Sequence, residues 1–359
     1  TAQQILGWGL GAYHFDRYKA PDRQPAELLM PSSVDADALV NEVDAIRLVR
    51  DLINLPADEL TPSRLAEEAI QLADSHNAEV EVTVGDDLLA AGHNTIHAVG
   101  RAAEDAPRLI DIRWGNESHP KVSLIGKGVC FDTGGLNLKP GSGRALMKKD
   151  MGGSAHVLAL ARLIMQAGLP VRLLVLIPAV ENSVSGNAYR PGDVIPTRKG
   201  LSVEIGNTDA EGRVVLADAL AYACESEPDL VIDFATLTGA ARVALGTDIP
   251  PVFSNNIDIA KQMMAAGEEE EDPLWVMPLY QPYKELLKSP IADLNNMAST
   301  PFGGCITAAL FMEHFVTEAT DWVHIDTWAW NQGNRPGRPA GGEAEGLRAV
   351  FRYLKDRYG

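Results

Sequence analysis

From residue 79 to the C-terminus, apolar runs of strand length alternate with stretches of helical period, and that alternation restricts the chain to a narrow class of folds. Glu79–Val84, Leu109–Trp114, Val122–Ile125, Val171–Pro178, Leu230–Phe234 and Val323–Asp326 read as strands. Val157–Gln166, closed by Gly168 and Pro170, reads as a helix, as do Val214–Cys224 and Ala344–Tyr358. Upstream, Leu39, Val43, Ile46 and Ile53 lie on one helical stripe that Asn54-Leu55-Pro56 stops, and Thr61-Pro62 supplies a cap and a first-turn proline for the next helix. Strands separated by helices imply βαβ units. The expected fold class is therefore α/β, a mostly parallel central sheet with helices on both faces. In such sheets ligands sit beyond the carboxyl ends of the strands.

A chain of 359 residues has room for one large domain and an appendage. Residues 1–36 read as a fragment and linker, with Pro21, Pro25, Pro31, Ser32 and Ser33 as linker residues, and residues 37–359 as the main domain. Gly7, Gly9 and Gly11 form a glycine string, but no strand precedes it, so it is not read as a dinucleotide loop. The balance of 31 basic and 49 acidic residues, a net charge of -18, is a poor match to nucleic acid or an anionic membrane. No apolar run reaches the ~18 residues of a membrane-spanning helix. No signal peptide is visible either, and the expected location is cytoplasmic. Cys130, Cys224 and Cys305 have no metal-binding or redox spacing and read as buried thiols. The Glu268–Asp272 acidic run reads as a solvated loop.

Two acidic clusters carry the chemistry. The first holds Lys127, Asp132, Lys139 and Asp150; the second is Asn207-Thr208-Asp209-Ala210-Glu211-Gly212-Arg213. Crowded carboxylates resist joint ionisation unless something cationic holds them, and hard divalent ions suit oxygen ligands. None of the eight histidines forms an HExxH motif, so a tetrahedral His or Cys zinc site is not expected. Four carboxylates suit two ions that share ligands and together activate one water. For Lys127 and Lys139 the residues alone leave two roles open, charge balance against the carboxylates or ligation by a neutral amine. For Arg213 they leave a structural ion pair or the grip of a planar anion.

The stretch Asn207 through Asp218 (NTDAEGRVVLAD) resembles the signature of the leucyl aminopeptidase, or cytosol aminopeptidase, family. Gly126-Lys127-Gly128, Phe131-Asp132-Thr133-Gly134-Gly135, Lys139-Pro140 and Lys149-Asp150-Met151-Gly152-Gly153 match its other metal-site segment in order and spacing. Ala188–Asp193 and Ala235–Ala240 match as well. The resemblance runs from about residue 37 to the C-terminus. It implies that residues 1–36 are the remnant of an N-terminal domain and 37–359 the catalytic domain of a dinuclear-metal peptidase.

Residue by residue, the resemblance implies one ion on Asp132, Asp209 and Glu211 and a second on Lys127, Asp132, Asp150 and Glu211. The ions expected are manganese or zinc, with magnesium or cobalt as alternatives. Lys139 would polarise the scissile carbonyl, and Arg213 would hold a bicarbonate that acts as general base. Met147, Thr236, Leu237 and Gly239 would line the pocket for the first side chain. The family's usual small or apolar pocket residues give way to two indoles, Trp328 and Trp330, in Asp326–Asn331. Peptides with a free N-terminus are the implied substrates, and a homohexamer the implied assembly.

Two rival readings are a different two-metal hydrolase, phosphatase-like, and a non-enzymatic DNA-binding scaffold. Little cationic surplus is present for phosphate beyond Arg213 and the two lysines, and the net charge opposes DNA. The sequence has no nucleophile elbow or phosphate-binding loop signature.

Overall fold

In a computed structural model that describes residues 1–21 and 24–359, a short two-stranded pair, Trp330–Asn331 with Gly341–Gly342, stands apart from two larger sheets that hold twelve strands. In chain order the twelve are β1 (Glu79–Val84), β2 (Arg108–Trp114), β3 (Lys121–Gly126), β4 (Gly128–Asp132), β5 (Arg172–Asn182), β6 (Val194–Pro196), β7 (Ser202–Glu204), β8 (Leu230–Ala235), β9 (Pro251–Ser254), β10 (Trp275–Val276), β11 (Leu294–Asn295) and β12 (Asp321–Asp326). The main sheet has the order β1-β2-β5-β3-β8-β12-β9-β10, and β4 continues alongside β5. Its centre is parallel: β3 lies between β5 and β8, and β12 follows β8. Antiparallel pairs occur where β2 joins β1 and β5, and where β9 joins β12. The α/β architecture read from the sequence is thus present, with antiparallel margins on a parallel core.

Side-chain alternation sends each central strand into two cores. Val122, Leu124, Val175, Ile177 and Ile232 join one cluster, to which helices 36–54, 62–75, 152–167, 257–269 and 347–358 contribute. Ile125, Leu176 and Val231 turn the other way, into a cluster shared with helices 94–100, 211–224 and 304–313. Strands buried on both faces read as continuous apolar runs, which is why they are legible without an alternating pattern. All three cysteines are buried and free. Among the described residues no helix is long and apolar enough to cross a membrane.

Several local readings change. The glycine string at the start belongs to a helix, Ala2–Gly11, opened by a capping box between Thr1 and Gln4. Gly9 serves close packing: a Cβ there would sit 2.7 Å from Val43 Cγ2 on the 36–54 helix. Helices 152–167 and 211–224 begin earlier than their periodicity suggests, the second with Glu211 as its first residue. The final helix begins at Leu347 rather than Ala344.

The acidic run ending at Asp272 is not a solvated loop throughout. Glu268 and Glu269 finish a helix, and Asp272 is buried. Its carboxylate accepts the Gly346 and Arg348 backbone N–H groups at 2.9 and 2.8 Å, capping the last helix from a distant part of the chain. Asp272→Ala would leave two buried donors unsatisfied and is expected to cost about 2 kcal/mol in a denaturant titration.

Candidate metal centre

The carboxyl ends of β3, β4, β5, β8 and β12 meet at one place, and the two acidic clusters are brought together there. Lys127 follows β3, Asp132 ends β4, and Asp150 sits in a short 3-10 turn, Met147–Met151. Asp209 lies in the loop before the 211–224 helix, and Glu211 opens that helix. Oxygens of Asp132, Asp209 and Glu211 lie within 4.8 Å of one another. Lys127 Nζ stands 2.7 Å from Asp150 Oδ2 and 2.8 Å from Glu211 Oε1. Lys139 Nζ stands 2.9 Å from Asp132 Oδ2 and 2.5 Å from Asp209 Oδ1.

Close backbone approach makes this convergence possible. Lys127 N–H donates to Phe234 O at the end of β8, and Ser154 N–H donates to Lys127 O. Gly153 lies between these partners. A Cβ there would fall 2.1 Å from Phe234 O and 2.8 Å from Lys127 N, so the start of the 152–167 helix can touch the strand ends only as glycine.

The electrostatics are those of a site that demands cations. Burial, then Asp132 beside it, raises the Glu211 carboxyl to about 8, and the same causes raise Asp209. Burial would also raise Asp150, but the neighbouring Lys127 and Lys149 outweigh it and hold that carboxyl low. For both site lysines, burial pulls downward and the surrounding carboxylates prevail, holding each ammonium above the ordinary lysine range. Asp150 Oδ2 and Asp209 Oδ1 are buried, each met at ion-pair distance by a lysine and by no other donor among the described residues. Carboxylate oxygens left in this state are suited to metal ligation, and the donor set of four carboxylates and an amine fits hard or borderline divalent cations.

Arg213, in the first turn of its helix, donates from Nη1 to Asn296 O at 2.9 Å, while Nε has no partner among the described residues. Burial pushes its guanidinium down to about 10, still high enough to keep its charge. No ion pair is formed by Arg213 among the described residues, so the structural alternative for it is not realised.

Two supporting residues, Asn182 and Asn296, come from outside the sequence motifs, and a third, Tyr189, from within the Ala188–Asp193 segment. Asn182 ends β5 and donates from Nδ2 to Asp132 Oδ1 at 2.8 Å and to Thr208 O at 3.0 Å, tying the two ligand loops together. Asp132 Oδ1 also accepts from Gly134 N–H, so Oδ2, which faces the Lys139 ammonium, is the oxygen turned toward the cluster. Tyr189 Oη donates to Thr208 O, and Asn296 accepts from Gly206 N–H and donates to Asn207 O. A polar residue closing an apolar strand was the available signal for Asn182. For Asn296 there was none.

The residues expected to line a pocket lie around Asp150. Met147 begins its turn, and Thr236 Oγ1 donates to Asp150 Oδ1 at 2.8 Å. Leu237 lies in a loop and Gly239 opens the Gly239–Leu245 helix, both fixed by Asp326, which accepts from Leu237 N–H, Thr238 Oγ1 and the Arg242 guanidinium. The two indoles diverge. Lys148 lies 5.6 Å from the Trp330 ring centre, whereas Trp328 faces Lys149 at 3.9 Å and Arg242 at 5.6 Å. Ala329 takes a left-handed φ of 59°, and Glu345 holds this turn by accepting from Thr327 Oγ1 and the Trp328 and Ala329 N–H groups.

Comparison with known proteins agrees with this geometry. Residues 47–351 match the model described as cytosol aminopeptidase family, catalytic domain. A probable cytosol aminopeptidase from Geobacter sp. (strain M21) is 39% identical, over 99% of this chain and 75% of the relative. A crystal structure of cytosol aminopeptidase from Coxiella burnetii superposes with a TM-score of 0.97 at 50% identity, covering 99% of this chain and 78% of that one. The bottromycin maturation enzyme BotP, solved in complex with Mn, gives a TM-score of 0.93 at 36% identity over 99% of this chain and 79% of its own. A matching family model over most of the chain, together with relatives of this identity and coverage, shows that the chain belongs to the cytosol aminopeptidase family and is a metallo-aminopeptidase.

Proposed function

We propose that the chain removes the N-terminal residue from peptides with a two-metal site built from Lys127, Asp132, Asp150, Asp209 and Glu211. The observation that carries this reading is the meeting of Asp132, Asp209 and Glu211 oxygens within 4.8 Å, with Lys127 and Asp150 alongside. When bound, a pair of divalent cations, manganese or zinc before magnesium or cobalt, supplies Lewis acidity to a water and to the scissile carbonyl. Asp132, Asp209 and Glu211 would hold one ion. Lys127, Asp132, Asp150 and Glu211 would hold the other. Asn182 keeps the two ligand loops at fixed separation.

Lys139, more exposed than Lys127, would face a peptide carbonyl and stabilise the oxyanion that develops there. Arg213, with an unpartnered Nε, would hold bicarbonate through its planar fork, and that anion would take the proton from the attacking water. Met147, Thr236, Leu237 and Gly239 would receive the first side chain. Residues 1–36 would be what this chain carries of an N-terminal domain, and 37–359 the catalytic domain. A homohexamer in the cytoplasm completes the reading. It is supported by the exposed Leu136, Leu138, Met297 and Phe302 on the loops around the site.

The test is metal content measured beside turnover of aminoacyl-amide and phosphate-ester substrates. Two ions per chain and amide hydrolysis are expected, and saturation at one ion would sink the two-metal site. Lys139→Ala is expected to retain its metal but lose about 10²–10³-fold in kcat, because its charge acts on the developing oxyanion.

A further inference from the structure

Lys149 is almost completely buried, at 2% exposure, yet among the described residues its ammonium has neither a hydrogen-bond acceptor nor an ion-pair partner; it faces the ring of Trp328, 3.9 Å from the ring centre. Trp328 Nε1 is likewise buried and without an acceptor. A buried indole N–H and the ammonium of a largely buried lysine therefore lie side by side, neither with an acceptor among the described residues. Such groups carry a substantial desolvation cost unless an acceptor arrives.

The acids nearby are engaged elsewhere. Asp150 accepts from Thr236 Oγ1 through Oδ1 and meets Lys127 through Oδ2. Glu345 is occupied by Thr327, Trp328 and Ala329. Asp326 is paired with Arg242 at 2.8 Å. Lys149 is the unmatched charge of this wall.

Its position is that of a substrate contact. Lys149 sits between Met147 and Asp150 in one short turn, and Thr236 is bonded to Asp150. Trp328 follows Thr327, whose N–H donates to Ala235 O immediately before Thr236. The unmatched ammonium thus borders the residues proposed to receive the first side chain, and the inference rests on that reading of the site.

We infer that Lys149 and Trp328 form a carboxylate-binding end to the side-chain pocket, so that the enzyme accepts peptides beginning with an acidic residue, glutamate above all. The glutamate carboxylate receives the Lys149 ammonium and the Trp328 Nε1–H. Glutamine, of the same size, offers the same shape without the charge.

The experiment compares kcat/KM for glutamyl-, glutaminyl-, leucyl- and methionyl-aminomethylcoumarin, using the manganese-loaded full chain. In the wild type, glutamyl is expected to exceed glutaminyl by about 10-fold or more, as a charge-assisted hydrogen bond implies. Lys149→Met should lower that glutamyl-to-glutaminyl ratio by about 10- to 100-fold, Lys149→Arg should restore part of it, and Trp328→Phe should lower it less. Because the ratio is taken within each variant, partial unfolding cancels. A wild-type ratio at or below one, or a ratio untouched by Lys149→Met, overturns the inference while leaving aminopeptidase activity on leucyl and methionyl substrates intact. Failure to cleave any of the four overturns the proposed function itself, and the inference with it.

Discussion

A Glu211→Gln variant is expected to lose about 10³-fold or more in kcat/KM and to bind less metal per chain after dialysis. The carboxylate lies at the centre of the cluster, within 4.8 Å of Asp132 and Asp209 oxygens and 2.8 Å from Lys127 Nζ. Glutamine keeps the size and one oxygen but removes the charge that two cations would share. The sign of the pH dependence follows from the carboxyl's raised value of about 8, caused by burial and by Asp132. Below that pH a cation must displace a proton, so metal uptake by the wild type strengthens as pH rises toward about 8. The variant should lose that component of the slope. Elemental analysis together with isothermal titration at several pH values checks both statements, and wild-type uptake and turnover in the variant would exclude Glu211 as a ligand.

Arg50→Ala is expected to be the most destabilising single change away from the site, at about 3–5 kcal/mol. Arg50 is fully buried and meets Glu343 at 3.0 Å, with both side chains almost inaccessible. It also donates to Leu10 O in the first helix and to Gly337 O in the C-terminal loop, joining three distant segments. Asn331 and the Ala344 N–H hold Glu343 in place. Removing the guanidinium leaves a buried carboxylate without its cation. For a chain of 359 residues the loss corresponds to a fall in Tm of about 5 °C. Replacing Arg50 by Met and Glu343 by Leu together should cost less than Arg50→Ala alone, because no uncompensated charge remains. Denaturant titration of the two variants separates the outcomes, and equal losses would point to packing rather than charge.

The central strands and both ligand clusters were legible because the information is local. Apolar runs such as Val122–Ile125 and Leu230–Phe234 name buried strands, and glycine-flanked Lys127 follows the first of them directly. What could not be read depends on tertiary partners. Asn182, Asn296 and Glu345 act on loops far away in sequence, so no spacing rule marks them. Asp272 was hidden inside an acidic run, and only the returning chain at Gly346 gives its carboxylate a task. The Ala2–Gly11 helix was missed because three glycines weigh against helix formation, whereas packing on Val43 rewards a missing side chain at Gly9. Lys149 stood within a recognised segment, but only its surroundings show an ammonium with no acceptor.

The proposed ligand set spans Lys127 to Glu211 and is assembled from strand ends, a short turn and a helix start, with β3 and β5 side by side. No short peptide from this chain contains enough of it to chelate an ion on its own, in contrast to a zinc finger, whose metal nucleates the fold. Cation capture must therefore be a late event in maturation, waiting on long-range strand pairing that is slow by topology. A nascent or truncated chain ending before Asp209 would lack the harbour altogether.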